Sequence, residues 1–181
     1  MFHGKINVFG ALLPNPVQTL PSSNPGPVPV NEIEKIMAIV LNKPLPEFEA
    51  NATGGLKVSN TSHMGQIVVL YFYPKDNTPG CTTEAMQFRD KYKDFVKAGA
   101  TVFGVSRDNM KSHDDFKSKL ELPFELIADT EEKMCHMFGV VKNKIMYGKK
   151  VKGIERSTFL IGDDGIPVSY THLTLPTICS V

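Results

Sequence analysis

Arginine is scarce in this chain of 181 residues. Only Arg89, Arg107 and Arg156 occur, and Lys+Arg 20 against Asp+Glu 19 leaves a formal net charge of +1. A phosphate backbone demands a clustered positive field, so the composition argues against a nucleic-acid partner. Long apolar runs are missing as well. None approaches the roughly 18 residues of a bilayer-spanning helix, and Ile67–Phe72 has the length of a buried strand. The expectation is a soluble protein with no membrane partner. Cysteine is sparse too: Cys81, Cys135 and Cys179 are too few for a secreted disulfide scaffold, and their odd number leaves one thiol free in any pairing. That favours a reducing, cytoplasmic setting. The start of the chain, MFHGKINVFGALLPNPV, lacks arginine and is soon broken by Pro14 and Pro16, which fits neither a secretory signal nor a transit peptide.

Other absences narrow the chemistry. The five histidines show no metal-ligand spacing, so no metal is expected, and no Cys-x-x-Cys is present for zinc or dithiol exchange. No Walker-type phosphate loop occurs. The seven residues between Cys81 and Arg89 are too many for the phosphate loop of a tyrosine phosphatase.

What is present is 41% hydrophobic residues, enough for one medium domain with a real core. Residues 1–30 carry six prolines among Ser, Asn and Gly and read as a disordered leader, with a short helix at 31–42 closed by Pro44 and Pro46. The leader so defined spans residues 1–43, and a domain follows at 44–169. Within it, Gly54-Gly55 predicts a hairpin turn and 66–73 a central strand. Ala85, Phe88, Tyr92 and Phe95 recur at helical steps, giving a helix whose stripe faces the sheet. Strands at 101–106 and 124–128, helices at 111–120 and 130–138, and a strand, an Asp164-Gly165 turn and the start of another strand complete an α/β pattern around a partly parallel sheet. Residues 169–181 contain no charged side chain and no amphipathic helix to cover an open sheet, and they resemble translated adapter sequence. The tail, 170–181, is therefore read as a non-native C-terminus, and Cys179 carries no functional weight.

The stretch YPKDNTPGCTTE places Cys81 in the first turn of a helix. Unpaired backbone N–H groups and the positive end of the helix dipole favour a thiolate there and present donors to a bound oxygen. Cysteines near turns are also commonly inert and buried, so position alone leaves both readings open.

The run from Pro74 to Cys81 matches Pro-x-x-x-Thr-x-x-Cys. With FGVSRDNMKSH, FELIADTEEKMCHMFGV and GIERSTFLI in order, it resembles the peroxiredoxins, and the surrounding residues resemble their Q-type, or bacterioferritin comigratory protein, subfamily of the alkyl hydroperoxide reductase/thiol-specific antioxidant family. The resemblance covers residues 44–169. It implies a thioredoxin-like fold, a central mixed sheet flanked by helices, and a thiol-dependent peroxidase for hydrogen peroxide and organic hydroperoxides that serves antioxidant defence and redox homeostasis without a cofactor. Cys81 would be the peroxidatic nucleophile and become a sulfenic acid. Thr78 would hold the peroxide by its hydroxyl, the Gly80 and Cys81 amides would hold developing charge, Arg156 would favour the thiolate and polarise the peroxide, and Pro74 would shield the sulfur. By their types alone, Thr78 also reads as a cap, Arg156 as a surface charge, Pro74 as a strand terminator and Glu84 as a first-turn acid complementing the dipole. Lys75 and Asp76 read as solvated loop residues.

The chain departs from the family at the resolving step. Family members place a resolving cysteine where this chain has Met86, or on the next helix where it has Lys117. Cys135 reads as a small core residue. The expectation is a one-cysteine mechanism drawing on an external thiol, thioredoxin or glutaredoxin with glutathione, in a monomer or weak homodimer. A thioredoxin-fold binding module without catalysis is the alternative, which the presence of Thr78, Cys81 and Arg156 disfavours.

Overall fold

The computed structural model describes residues 41–146 and 149–172. The helix expected at 31–42, all but its last two residues, and Cys179 lie outside them.

A hairpin opens the described chain, β1 (Glu49–Asn51) and β2 (Lys57–Ser59), antiparallel and joined through a 3-10 turn at Thr53–Gly55. Gly54 and Gly55 both take positive φ there, 69° and 72°, the conformation the Gly-Gly pair predicts. The central strand β3 (Ile67–Phe72) follows, then α1 (Pro79–Lys97), β4 (Ala100–Ser106), α2 (Met110–Leu120), β5 (Glu125–Ala128) and the short α3 (Lys133–Met137). A second hairpin, β6 (Val141–Met146) and β7 (Lys149–Ile154), precedes β8 (Ser157–Ile161) and β9 (Pro167–His172). β9 carries its pairing past residue 169, where the sequence pattern ends the domain.

Five strands form one mixed sheet in the order β5-β4-β3-β8-β9. β3, β4 and β5 run parallel, and β8 is antiparallel to both β3 and β9. β3 is buried on both faces, which is why it reads as an unbroken apolar run. Its alternate residues enter two cores: Val68, Leu70 and Phe72 pack with Phe103, Val105, Phe138 and Phe159, while Val69, Tyr71 and Tyr73 pack with Ala85, Phe116, Phe124 and Cys81. The helix stripe Phe88, Tyr92 and Phe95 lies against the second core, as its spacing predicts. Toward the sheet edge, Leu160, Val168 and Tyr170 are exposed.

Pairing fixes what meets the start of α1. In the β3–β8 register Phe72 opposes Ser157, so Arg156, one residue before β8, lies at the carboxyl end of β3. The loop at 73–78 leaves that same end and leads into α1. No helix among the described residues is long and apolar enough to cross a membrane.

Candidate active site

α1 begins with Thr78 as its N-cap in extended conformation and Pro79 as its first residue, where the missing N–H costs nothing. The first bond from helix interior to cap runs from the Thr82 amide to the Thr78 carbonyl, 2.9 Å. The Gly80 and Cys81 amides ahead of it therefore have no acceptor within the helix. Cys81 occupies the third helical position, so these donors and the helix dipole converge near its sulfur.

Thr78 makes no side-chain capping bond; its hydroxyl donates to the Lys75 carbonyl at 3.1 Å. With its proton so used, the hydroxyl oxygen keeps lone pairs for a ligand donor. Pro74, half-buried, follows the buried Tyr73 at the end of β3. Cys81 itself is only 1% exposed, while its neighbours Pro79 and Gly80 are exposed.

Arg156 closes the site from 75 residues away. Its Nη2 donates to Cys81 Sγ at 3.3 Å, and its Nη1 donates to Glu84 Oε2. The guanidinium fork thus holds a sulfur and a carboxylate in fixed relation, a geometry an ammonium cannot supply. Burial draws the Arg156 guanidinium toward deprotonation, and the Glu84 and Cys81 charges more than offset it. Burial pushes the Glu84 carboxyl above the usual carboxylate range, and Arg156 pulls it back only part of the way. Glu84 Oε1 has no partner among the described residues, which leaves the carboxylate form under-supported.

Glu84 is the residue that the sequence pattern misplaced. It sits in the second helical turn, not the first, and it is buried rather than serving the dipole. The signal was its spacing: three residues after Cys81 puts both side chains on one helix face. Asp76 corrects the reading of 75–76 as solvated loop. Lys75 is exposed, but Asp76 is buried, because its carboxylate is enclosed by donors from β3 and α2.

The remaining sulfur lies elsewhere. Cys135 is fully buried in the core on the other face of the sheet from Cys81, its amide donating to Asp129 Oδ2 at 2.7 Å. Burial, reinforced by Asp129, pushes its thiol far above the ordinary range. In native protein, iodoacetamide near neutral pH is therefore expected to modify Cys81 and leave Cys135 untouched, read by peptide mass spectrometry, with Cys135 labelled only after unfolding. Met86 is exposed on α1, and Lys117 is ion-paired to Glu125, which also accepts from Thr53. An open groove of about 790 Å³ lies between the β1 segment and α3, lined by Phe48, Glu131, Met134 and Met137, away from Thr78, Cys81 and Arg156. No group of three or more potential metal ligands occurs among the described residues.

A cysteine at a helix N-terminus beside the central strand of a mixed sheet, with an arginine on its sulfur, defines a thioredoxin-fold thiol peroxidase. The chain belongs to the AhpC/TSA family, which it matches over residues 41–168, and within it to the Q-type peroxiredoxins or bacterioferritin comigratory proteins. It is 48% identical over 128 residues to peroxiredoxin Bcp of Xanthomonas campestris pv. campestris, covering 70% of this chain and 80% of that protein. Peroxiredoxin Bcp of Bacillus subtilis is 46% identical over 129 residues, 71% and 82% of the two chains. Among solved structures, peroxiredoxin Q of Xanthomonas campestris superposes with a TM-score of 0.67 at 47% identity, covering 69% and 79%. A cysteine-to-serine mutant of PrxQ from Xylella fastidiosa does so with 0.71 at 39% identity, covering 76% and 89%.

Proposed function

We propose that the chain reduces hydrogen peroxide and organic hydroperoxides through Cys81 by a one-cysteine mechanism. The Cys81 thiolate attacks one peroxide oxygen; an S–O bond forms, the O–O bond breaks, and the departing oxide takes a proton to leave as water or an alcohol. The Gly80 and Cys81 amides and the Arg156 fork face the charge that develops, and the Thr78 oxygen accepts from the peroxide hydroxyl. Pro74 shields the sulfur. The observation that carries this reading is the Arg156 contact to Sγ at 3.3 Å, made by a guanidinium already tied to Glu84. A Xanthomonas campestris bacterioferritin comigratory protein, 46% identical, has been studied for its alkyl peroxide reduction activity, which supports organic hydroperoxides as substrates here.

Resolution then falls to a thiol from outside, which attacks the Cys81 sulfenic acid to give a mixed disulfide and water, and a second thiol releases Cys81. Thioredoxin and glutathione with glutaredoxin are the reductants of that chemistry. The separation of Cys81 and Cys135 by the sheet supports this route, as do Met86 and Lys117 at the family's resolving positions.

Stopped-flow oxidation of reduced protein by hydrogen peroxide at neutral pH, with a Cys81→Ser control, tests the reading. The expected rate exceeds that of an unactivated thiol by about 10³-fold or more, and the control is silent. A rate equal to that of a simple thiol in folded protein would overturn it. Trapping a Cys81–Cys135 disulfide would overturn the one-cysteine route alone.

A further inference from the structure

Between the end of β3 and the start of α1, the loop at 73–78 is anchored to a buried histidine–aspartate pair that the peroxidase chemistry does not itself use. Asp76 and His113 have side chains 1% and 0% exposed, with His113 Nδ1 at 2.9 Å from Asp76 Oδ2. The other ring nitrogen, Nε2, lies 3.2 Å from the Ile127 carbonyl on β5. A carbonyl only accepts, and so does an ionised carboxylate, so both ring nitrogens face acceptors. Two further donors complete the carboxylate: the Tyr73 hydroxyl at 2.8 Å and the Ser112 hydroxyl at 2.7 Å. Burial alone would raise the Asp76 carboxyl, but His113, Ser112 and Tyr73 together hold it below its ordinary value. The backbone is pinned as well, since the Asp76 amide donates to Asp108 Oδ2 at 2.8 Å, and that same oxygen accepts from Ser106 at 2.8 Å.

Little freedom remains downstream of this anchor. Asn77 sits in the left-handed region with φ 57°, its side chain accepting from Lys119 Nζ at 3.3 Å. Pro79 has its φ fixed by its ring, and Thr78 between them is the N-cap whose hydroxyl donates to the Lys75 carbonyl. The titratable groups around the pair are Tyr73 just past β3, Tyr71, whose hydroxyl feels the Asp76 charge, and Asp108 after β4, while the Ile127 carbonyl of β5 faces the far side of the ring. The side chain that donates to the sulfur is Arg156, so the pair acts on the site through the loop.

We propose that the His113–Asp76 pair positions the Thr78 hydroxyl oxygen on the bound peroxide, making His113 and Ser112 positioning residues of the peroxidase step. This rests on the peroxidase reading of Cys81. The sulfur's own contacts come from α1 and Arg156, whereas alignment of the peroxide by Thr78 depends on the loop, so the two are separable by reagent. Iodoacetamide needs only the reactive sulfur; hydrogen peroxide needs that sulfur and the aligned Thr78 oxygen as acceptor.

The test compares both reagents on wild type, His113→Gln and Ser112→Ala, each with its thermal melt. His113→Gln is expected to slow oxidation by hydrogen peroxide about tenfold or more, and Ser112→Ala about threefold, while alkylation of Cys81 stays within about twofold of wild type. Peroxide rates unchanged in both variants, or both reagents slowed equally, would overturn the proposal. If His113→Gln does not fold, Ser112→Ala decides alone by the same criterion. Slow oxidation of wild type itself would mark failure of the peroxidase reading instead.

Discussion

Replacing Arg156 with Met is expected to slow oxidation of Cys81 by hydrogen peroxide about 10²- to 10³-fold, the range seen when one donor to developing oxyanion charge is lost. The fork that donates to Sγ at 3.3 Å would be gone, and with it a fixed positive charge beside the attacked oxygen. The same change strands Glu84, buried with a side chain only 8% exposed, without its cation. Its carboxyl, already raised by burial, then takes up a proton or destabilises the start of α1. Rate and stability are therefore confounded in the single variant. The double variant Arg156→Met/Glu84→Gln removes both charges from the buried site. It is expected to melt close to wild type while remaining as slow as the single variant. Arg156→Lys keeps the charge but cannot bridge sulfur and carboxylate at once, and a partial loss is expected. Wild-type oxidation rates in the double variant would sink this account.

Asp76→Ala carries the largest expected loss of stability, about 3–5 kcal/mol, because it leaves a buried imidazole nitrogen and two hydroxyls without their partner. In a domain of this size that lowers the melting temperature on the order of 10 °C. Asp76→Asn should lose less: its amide can donate to Nδ1 of a neutral His113 whose Nε2 still donates to the Ile127 carbonyl. The pH dependence has a definite sign. Asp76 is depressed in the folded state, so its contribution is fully present above the ordinary carboxyl value of 3.8 and is lost as pH falls through the folded value. The part of the gap between wild type and Asp76→Ala that comes from the Asp76 carboxylate is therefore expected to close as pH falls below about 4. Equal urea midpoints for the two proteins at pH 7 would contradict the burial argument.

Much of the site is legible in the order of residues alone. Thr78, Pro79 and Cys81 are neighbours in sequence, and an N-cap, a first-turn proline and the helix dipole act within one turn, so their arrangement follows from the order of residue types. The alternation of β3 and the helical stripe of α1 are equally local, which is why the strand and the helix fall within a residue or two of where the sequence puts them. The β6–β7 pairing is less plain, because a basic loop with few apolar residues carries little strand signal.

Three features waited for the fold. Asp76 resembles any polar residue of a Lys-Asp-Asn loop, and only the packing of α2 against the end of β3 encloses it with His113, 37 residues on. Glu84 resembles a helix-stabilising acid until the antiparallel β3–β8 register carries Arg156 to it across 72 residues. Cys135 could be paired with Cys81 on paper, but alternate faces of one sheet put them in different cores. The sequence by itself determined that Cys81 stands in the first turn of α1 behind Thr78 and Pro79, since that arrangement depends on bonds within a few residues. The tertiary structure decided which charges are buried and with whom they pair, because desolvation and ion pairing depend on what distant strands and helices bring to the same point in space.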